Sequence, residues 1–337
     1  MMRSLLDLPA RADCTLDLAD WAEISAFFHD DRSISEEDLV RALVRGGDAG
    51  KAEHAAREMA TEAFNELSTR ETAIGNSLNV HPHSAYPYAI DGPLLKLSVD
   101  PFSENNPGLL YAFLLAITRA SMDSGSRRMK GIDPTLLFEE LCADVLCRFW
   151  GGSSDLSGVF VTGTSNKDVP LNTRKRFQKL IGALAGHIEE FGGWKDGAKS
   201  PGAGDGGLDM AVWRKFRDKR PGNLIGFAQC KTGDHWKDHL GRRNPESICH
   251  RFFRNRVALS PLAIYMVPCR VSEEEWEEVM LQHRGLLFDR CRIVNFGMDL
   301  APRTLKKCAS WLEAALTKER KALVSKLAIP ATAGVAS

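Results

Sequence analysis

Two rhythms of apolar and polar positions run along this chain, and the change between them divides it. Over residues 16–28 apolar side chains return at helical spacing. Ser35-Glu36-Glu37-Asp38 has the form of a capping box, opening a short helix through Val44 that stops at Gly46-Gly47. Residues 49–69, rich in Ala, Glu and Arg, predict a longer helix. Two short runs at 86–90 and 94–98, split by Asp91-Gly92-Pro93, predict a hairpin. Three helices followed by a hairpin suit a winged-helix module. A further apolar helix is predicted at 107–121, and Ser124-Gly125-Ser126-Arg127-Arg128 reads as a linker.

Beyond the linker, helices alternate with short apolar runs. The pattern predicts a helix at 134–150, a strand at 158–163 and a helix at 172–191, then a glycine-rich loop over 192–207. Two strands follow, one entered at Asp209 and one ending at Gln229-Cys230-Lys231. A helix near 236–240, a strand at 262–267, a helix at 272–283, a strand at 292–296 and a helix at 303–327 complete the pattern. In this reading Arg290-Cys291-Arg292 closes the sheet edge. Such alternation predicts an α/β domain over 131–327, behind a mainly helical N-terminal domain over 1–130 that serves recognition or regulation. The small-residue tail, 328–337, is expected to be disordered.

Composition narrows the partners. Of 337 residues, 44 Lys and Arg balance 44 Asp and Glu, so no global field draws the chain to a polyanion, and local patches must hold one. The eight cysteines include no C-x-x-C pair, which predicts small buried hydrophobes in a reducing compartment. The longest apolar run, 108–117, is too short for a bilayer that needs about 20 residues, and the first residues lack a signal core. A cytoplasmic protein with no membrane contact is expected.

The chemistry concentrates in Gly204-Asp205-Gly206-Gly207-Leu208-Asp209 and in Gln229-Cys230-Lys231. Side chains alternate faces along a strand, so Gln229 and Lys231 share one face, as do Asp209, Ala211 and Trp213. If the two strands pair, acid, amide and amine converge. A carboxylate among Leu, Met, Val and Trp needs a partner, and Mg²⁺ or Mn²⁺ supplies one. Gln229 adds a neutral oxygen, and Lys231 would stabilise charge developing on a phosphate. Asp205 either touches a second metal or shapes the glycine loop.

Basic groups flank this stretch. Arg214, Lys215 and Arg217 lie in the loop joining the two strands. Arg251 and Arg254 follow with Phe252 and Phe253 between them; Arg242-Arg243 and the group Arg174, Lys175, Arg176 and Lys179 are further candidates. Such residues bind phosphates without reading sequence. His235 and His239 are four apart, but Trp236 stands where a zinc-protease motif needs Glu. Neither G-x-S-x-G nor the nucleotide-binding G-x-x-x-x-G-K-[ST] occurs, and the acidic run from Glu273 reads as a solvated helix start.

Asp209 followed by Gln229-Cys230-Lys231 resembles the PD-(D/E)XK nuclease superfamily in its Q-x-K variant, and Gly-Asp-Gly-Gly-Leu-Asp is especially similar to Mrr-type restriction endonucleases. Phe138-Glu139-Glu140-Leu141 has the form of the helix that gives such enzymes a further acid. The resemblance places Glu139 there, with Glu140 as the alternative one helix step away. It covers about residues 131–300 and implies a restriction-endonuclease-like core: a central mixed sheet flanked by helices. It implies a divalent-metal endonuclease acting on DNA in restriction or phage defence. Asp209, Gln229 and Glu139 would be the metal ligands and Lys231 the stabiliser, with control by a companion defence protein or a homo-oligomer. Gln in place of an acid removes one charge from the metal site. That motivates the alternative of a weak or inactive nucleic-acid-binding subunit keeping the nuclease fold.

Overall fold

The computed structural model describes residues 4–9, 14–46, 53–75, 85–103, 108–120, 127–166, 168–169, 175–200, 207–241, 244–297 and 300–327. Two units are separable: residues 1–132 together with 306–337, and residues 133–305.

The first unit runs α1 (Thr15–Ala26), β1 (Ser33–Ser35), α2 (Glu36–Gly46), α3 (Glu53–Gly75), β2 (Tyr88–Asp91), β3 (Leu94–Leu97) and α4 (Gly108–Arg119). The capping box forms as read: Asp38 N–H donates to Ser35 Oγ at 3.1 Å, and Ser35 N–H donates back to the Asp38 carboxylate at 3.0 Å. The three strands form one antiparallel sheet in the order β1-β3-β2, with Ile34 opposite Leu95 and Ile90 opposite Leu95 on the other side. Helix, strand, two helices and a closing hairpin follow one another here, with the last strand central in the sheet.

Beneath it, Arg70 of α3 is fully buried and ion-paired with Asp20 at 2.6 Å, Glu23 at 2.8 Å and Glu66 at 2.9 Å. Tyr86 and Tyr111 both donate to Glu23 at 2.7 Å. A buried charge survives only when paired and hydrogen-bonded in this way.

The second unit runs α5 (Pro134–Phe149), β4 (Ser157–Val161), α6 (Arg176–Ile188), β5 (Met210–Arg214), β6 (Leu224–Cys230), α7 (Pro245–Phe252), β7 (Leu262–Met266), α8 (Glu273–His283), β8 (Leu286–Phe288) and α9 (Arg290–Phe296). Its five strands lie in the order β4-β5-β6-β7-β8. The first three pair antiparallel and the last three parallel, so the unit is α/β with a mixed sheet. Alternation sends Ala211, Trp213, Ile225 and Phe227 to one face, where they pack with Phe177, Ile181, Leu184, Phe252 and Phe253 of α6 and α7 and the residue after it. The opposite face carries α5. A Cβ on Gly226 would lie 2.5 Å from Ile264 Cδ1 and 3.2 Å from the Trp150 ring, so the missing side chain is what lets the end of α5 sit against the sheet. Helices therefore cover both faces.

The last helix, α10 (Pro302–Leu327), belongs from residue 306 with the first unit, whereas the sequence reading kept it in the second. Trp311 explains this: it is fully buried, packs edge-on to Phe113 at 5.6 Å and donates to Arg127 O.

Three readings of the pattern change. The expected strand at 292–296 is helix α9, because Asp289 caps it by accepting from Arg292 N–H at 3.0 Å; the true edge strand is the three-residue β8 before it. Arg290-Cys291-Arg292 therefore starts a helix and closes no sheet edge. Helix α7 was not anticipated, although Asn244 caps it and Pro245 occupies its first turn. Around residue 236 there is only a 3-10 turn, Trp236–His239, where three residues per turn keep His235 and His239 off a common face. The expected tail at 328–337 lies outside the described residues, as does 124–126 of the linker. Among the described residues, no helix is long and apolar enough to cross a membrane.

Candidate active site

Asp209 sits one residue before β5 and is 4 % exposed. Its N–H donates to Ala228 O at 3.0 Å, although Ala228 is already the register partner of Met210. Two consecutive residues thus oppose one, the count of a β-bulge, which breaks strict alternation at the acid. On its other side the Asp209 carbonyl accepts from both Thr162 and Gly163 N–H, each at 2.8 Å. The carboxylate reaches across to β6, where Oδ2 accepts the Cys230 N–H at 2.7 Å. Main chain on both neighbouring strands holds this acid.

Glu139 approaches from α5. Its carboxylate accepts from Ser165 N–H at 3.0 Å and from the Thr164 hydroxyl at 3.2 Å. These contacts hold Glu139, and Glu140, half-buried, lies one helix step away. Gly163 marks the convergence: a Cβ there would lie 2.8 Å from Glu139 Oε2 and 3.3 Å from Asp209 O. Two buried thiols register the same convergence. Burial, chiefly, lifts Cys142 above the ordinary range, a hydrogen bond from Cys230 offsets part of this, and Glu139 and Asp209 raise it further. Cys230 is held well above its ordinary value by burial, by its bond to Cys142 and by both acids.

The segment joining β4 to α6 is the scaffold. Its residues 162 and 163 bind Asp209, and its residues 164 and 165 bind Glu139. Arg176 pins it by donating to the carbonyls of Gly163 at 2.8 Å, Val169 at 2.9 Å, Asn166 at 3.3 Å and Thr162 at 3.4 Å. Arg176 was read from sequence as a phosphate-binding group. Its fork is committed to main-chain carbonyls instead. None of Gly163, Thr164 or Ser165 was singled out; the only signal was a Gly-Thr-Ser-Asn run directly after an apolar strand.

Gln229 and Lys231 flank Cys230, whose N–H the Asp209 carboxylate holds. Lys231 is half-buried, its N–H donating to Met266 O at 3.0 Å, and its ammonium makes no ion pair among the described residues. Gln229 shares the β6 face of Phe227 and lines a cavity of about 20 Å³ with Tyr265, His239 and His283, room for one water molecule. Its amide makes no hydrogen bond to Glu139 or Asp209. Face arithmetic therefore pairs Gln229 with Lys231 as expected, and the Asp209 carboxylate is held by the N–H of the residue between them.

The basic candidates separate. Arg214 ends β5, five residues from Asp209, or about 17 Å at ~3.4 Å per residue. The loop that joins two strands lies at the end opposite the residues that open the first and close the second, so Arg214, Lys215 and Arg217 stand away from the acids. Arg214 donates to Trp150 O, Lys215 to His187 O beside Glu189, and Arg217 is exposed. Arg251 lies on α7 with its guanidinium 5.1 Å from the Phe252 ring, and Arg254 pairs with Asp196 at 3.7 Å. Asp205, Gly204, Gly206, Arg174, Arg242 and Arg243 lie outside the described residues.

Glu139 and Asp209 each offer hard oxygen donors of the kind Mg²⁺ or Mn²⁺ takes, and a phosphate beside Lys231 would meet a cation that makes no ion pair among the described residues. Among the described residues no group of three or more His, Cys, Asp or Glu is placed to hold a metal ion, so these two acids would need further oxygen ligands from main chain, water or substrate. All eight cysteines are free thiols. Comparison of the chain with family models, curated proteins and solved structures finds no match.

Proposed function

We propose that the second unit is a divalent-metal-dependent nuclease with a restriction-endonuclease-like core, hydrolysing phosphodiester bonds of DNA in the cytoplasm. The observation that carries this reading is the approach at Gly163 of the Glu139 carboxylate and the Asp209 main chain, seventy positions apart, with the Asp209 carboxylate held by the Cys230 N–H between Gln229 and Lys231. A carboxylate as buried as that of Asp209 needs compensation, and a cation is the partner that would add to the Cys230 N–H. Mg²⁺ or Mn²⁺, when bound, would neutralise phosphate charge and lower the pKa of an attacking water. Glu139 and Asp209 would hold it, each kept in place by the 162–165 segment. Lys231 offsets the negative charge that grows on the phosphate as the bond to the leaving oxygen breaks. Restriction or phage defence, restrained by a companion protein or by self-association, is the setting we infer from the sequence resemblance.

A plasmid incubated with the full chain in Mg²⁺ or Mn²⁺ tests the reading. Nicking or linearisation is expected, falling at least about 100-fold for Asp209→Asn and for Lys231→Ala, in the range usual for loss of one electrostatic group. Activity that survives both changes would remove the site assignment.

One observation favours a second reading, a nucleic-acid-binding subunit without turnover. Gln229 lines a cavity with Tyr265 and His283 and is not hydrogen-bonded to either acid, leaving two anionic ligands. That reading expects DNA binding unchanged by EDTA and no cleavage with any divalent cation.

A further inference from the structure

The loop after α6 and the end of α7 form a cleft of about 600 Å³ that the site residues do not use. Lys195 and Lys199 line one wall, His250 and Arg251 the other, and Asp196 is the acid between them. Asp196 is already engaged by Arg254 from outside the cleft, at 3.7 Å. The walls are tied together before any ligand arrives. Lys195 N–H donates to Phe252 O at 2.9 Å and its ammonium to His250 O at 3.0 Å; Arg254 N–H donates to Gly193 O and Asn255 N–H to Phe191 O, both at 3.0 Å. Beneath them lies an aromatic floor. Trp194 stacks on Phe252 at 5.7 Å and 23°, Phe177 meets Phe252 at 5.0 Å, and Arg251 lies over the same ring. This floor is continuous with the sheet: Phe253 stacks against Phe227 of β6, and Gln229 and then Lys231 follow on that same face.

We infer that this cleft is a track for the sugar-phosphate backbone of the nucleic acid, delivering it along the α6–α7 face toward Lys231. The inference deepens the nuclease reading and rests on it for the identity of the polymer. The chemistry selects that ligand class. Three cations with their one acid otherwise engaged exclude a metal ion. An open, shallow shape on a rigid base does not enclose a small molecule, which buries most of its surface when bound. Repeated phosphates held by Lys and Arg on a base that buried aromatic packing keeps fixed are the features of a sequence-blind backbone groove.

Fluorescence anisotropy of a labelled DNA oligonucleotide with the full chain in EDTA reads binding apart from cleavage. Lys195→Ala/Lys199→Ala and, separately, Arg251→Ala are expected to weaken binding about 10-fold or more. The slope of log affinity against log salt should become shallower by about one per lost phosphate contact. Lys321→Ala, an exposed charge on α10, serves as the matched control. Wild-type affinity and slope in both cleft variants would overturn the inference, as would equal competition by polyglutamate, which would mark a surface for acidic proteins. The two proposals fail differently. Cleft variants that lose binding while no metal supports cleavage sink the nuclease and keep the track. Asp209-dependent cleavage with unchanged binding in the cleft variants does the reverse.

Discussion

A side chain at Gly163 would meet the Glu139 carboxylate and the Asp209 main-chain carbonyl. Adding one methyl there places a carbon 2.8 Å from Glu139 Oε2, and the flexible end of Glu139 is the part that gives way. Gly163→Ala is therefore expected to fold, with an unfolding midpoint within a few degrees of the parent, ~1 kcal/mol or less. Its cleavage rate should fall about 10- to 100-fold, since small displacements of a catalytic group are costly. Plasmid nicking measured beside thermal unfolding separates the two effects; a parental rate would mean that Glu139 has no part in the chemistry. Lys231 and Gln229 illustrate the opposite situation at the same scale. Their shared face follows from strand geometry alone, while the surroundings of each side chain depend on what the neighbouring strand and helices bring.

Among the elements, α3 is the one whose arrangement and surface disagree. A winged-helix module that reads DNA lays a helix of this kind in the major groove. The exposed side of α3 instead carries Glu53, Glu58 and Glu62, and its Arg57 is bound by Glu37 at 2.9 Å and Glu53 at 2.8 Å. Such a face repels phosphates. Replacing both Glu58 and Glu62 by Lys should therefore leave DNA affinity unchanged or raise it. A loss of affinity in the same anisotropy measurement would show that α3 reads DNA through those acids. The 162–169 segment is the complementary case. Its described residues form no helix or strand, yet Arg176 bonds four of its carbonyls, and it binds both the Glu139 carboxylate and the Asp209 main chain.

Across the molecule, burial of weak acids sets a response to alkali. Cys142 and Cys230 are raised, and Cys249 is pushed up to about 12, in each case mainly by burial. An unfolded chain loses these protons near the ordinary thiol value while the folded one keeps them. It therefore binds fewer protons above that pH, and stability falls as pH rises. The stabilisation is complete below pH ~8.5 and is lost as pH climbs from there through the folded values. Thermal midpoints measured from pH 8 to 10.5 should decline steadily. Cys249→Ala should decline less steeply than the parent, whatever its midpoint at pH 8; an identical slope would remove Cys249 from the account.

The sequence by itself determined the elements whose signals are local: the Ser35–Asp38 capping box, the hairpin at Asp91-Gly92, α5 and α8 with their caps, and the alternation that pairs Gln229 with Lys231. It also pointed to Asp209, because an acid in an apolar run is conspicuous wherever the run lies, whereas Glu139, with Glu140 as its alternative, came from the resemblance of its helix to a nuclease motif. Tertiary structure decided what depends on distant partners. Whether residues 290–296 are helix or strand turned on one capping carboxylate, and α10 joined the first unit through Trp311. The bulge at Asp209 arose because its N–H bonds Ala228, the register partner of Met210, and the hairpin carried Arg214 away from the acids that sequence order had placed near it. Spacing along the chain fixes which residues share a face. Only the packed sheet fixes what that face meets.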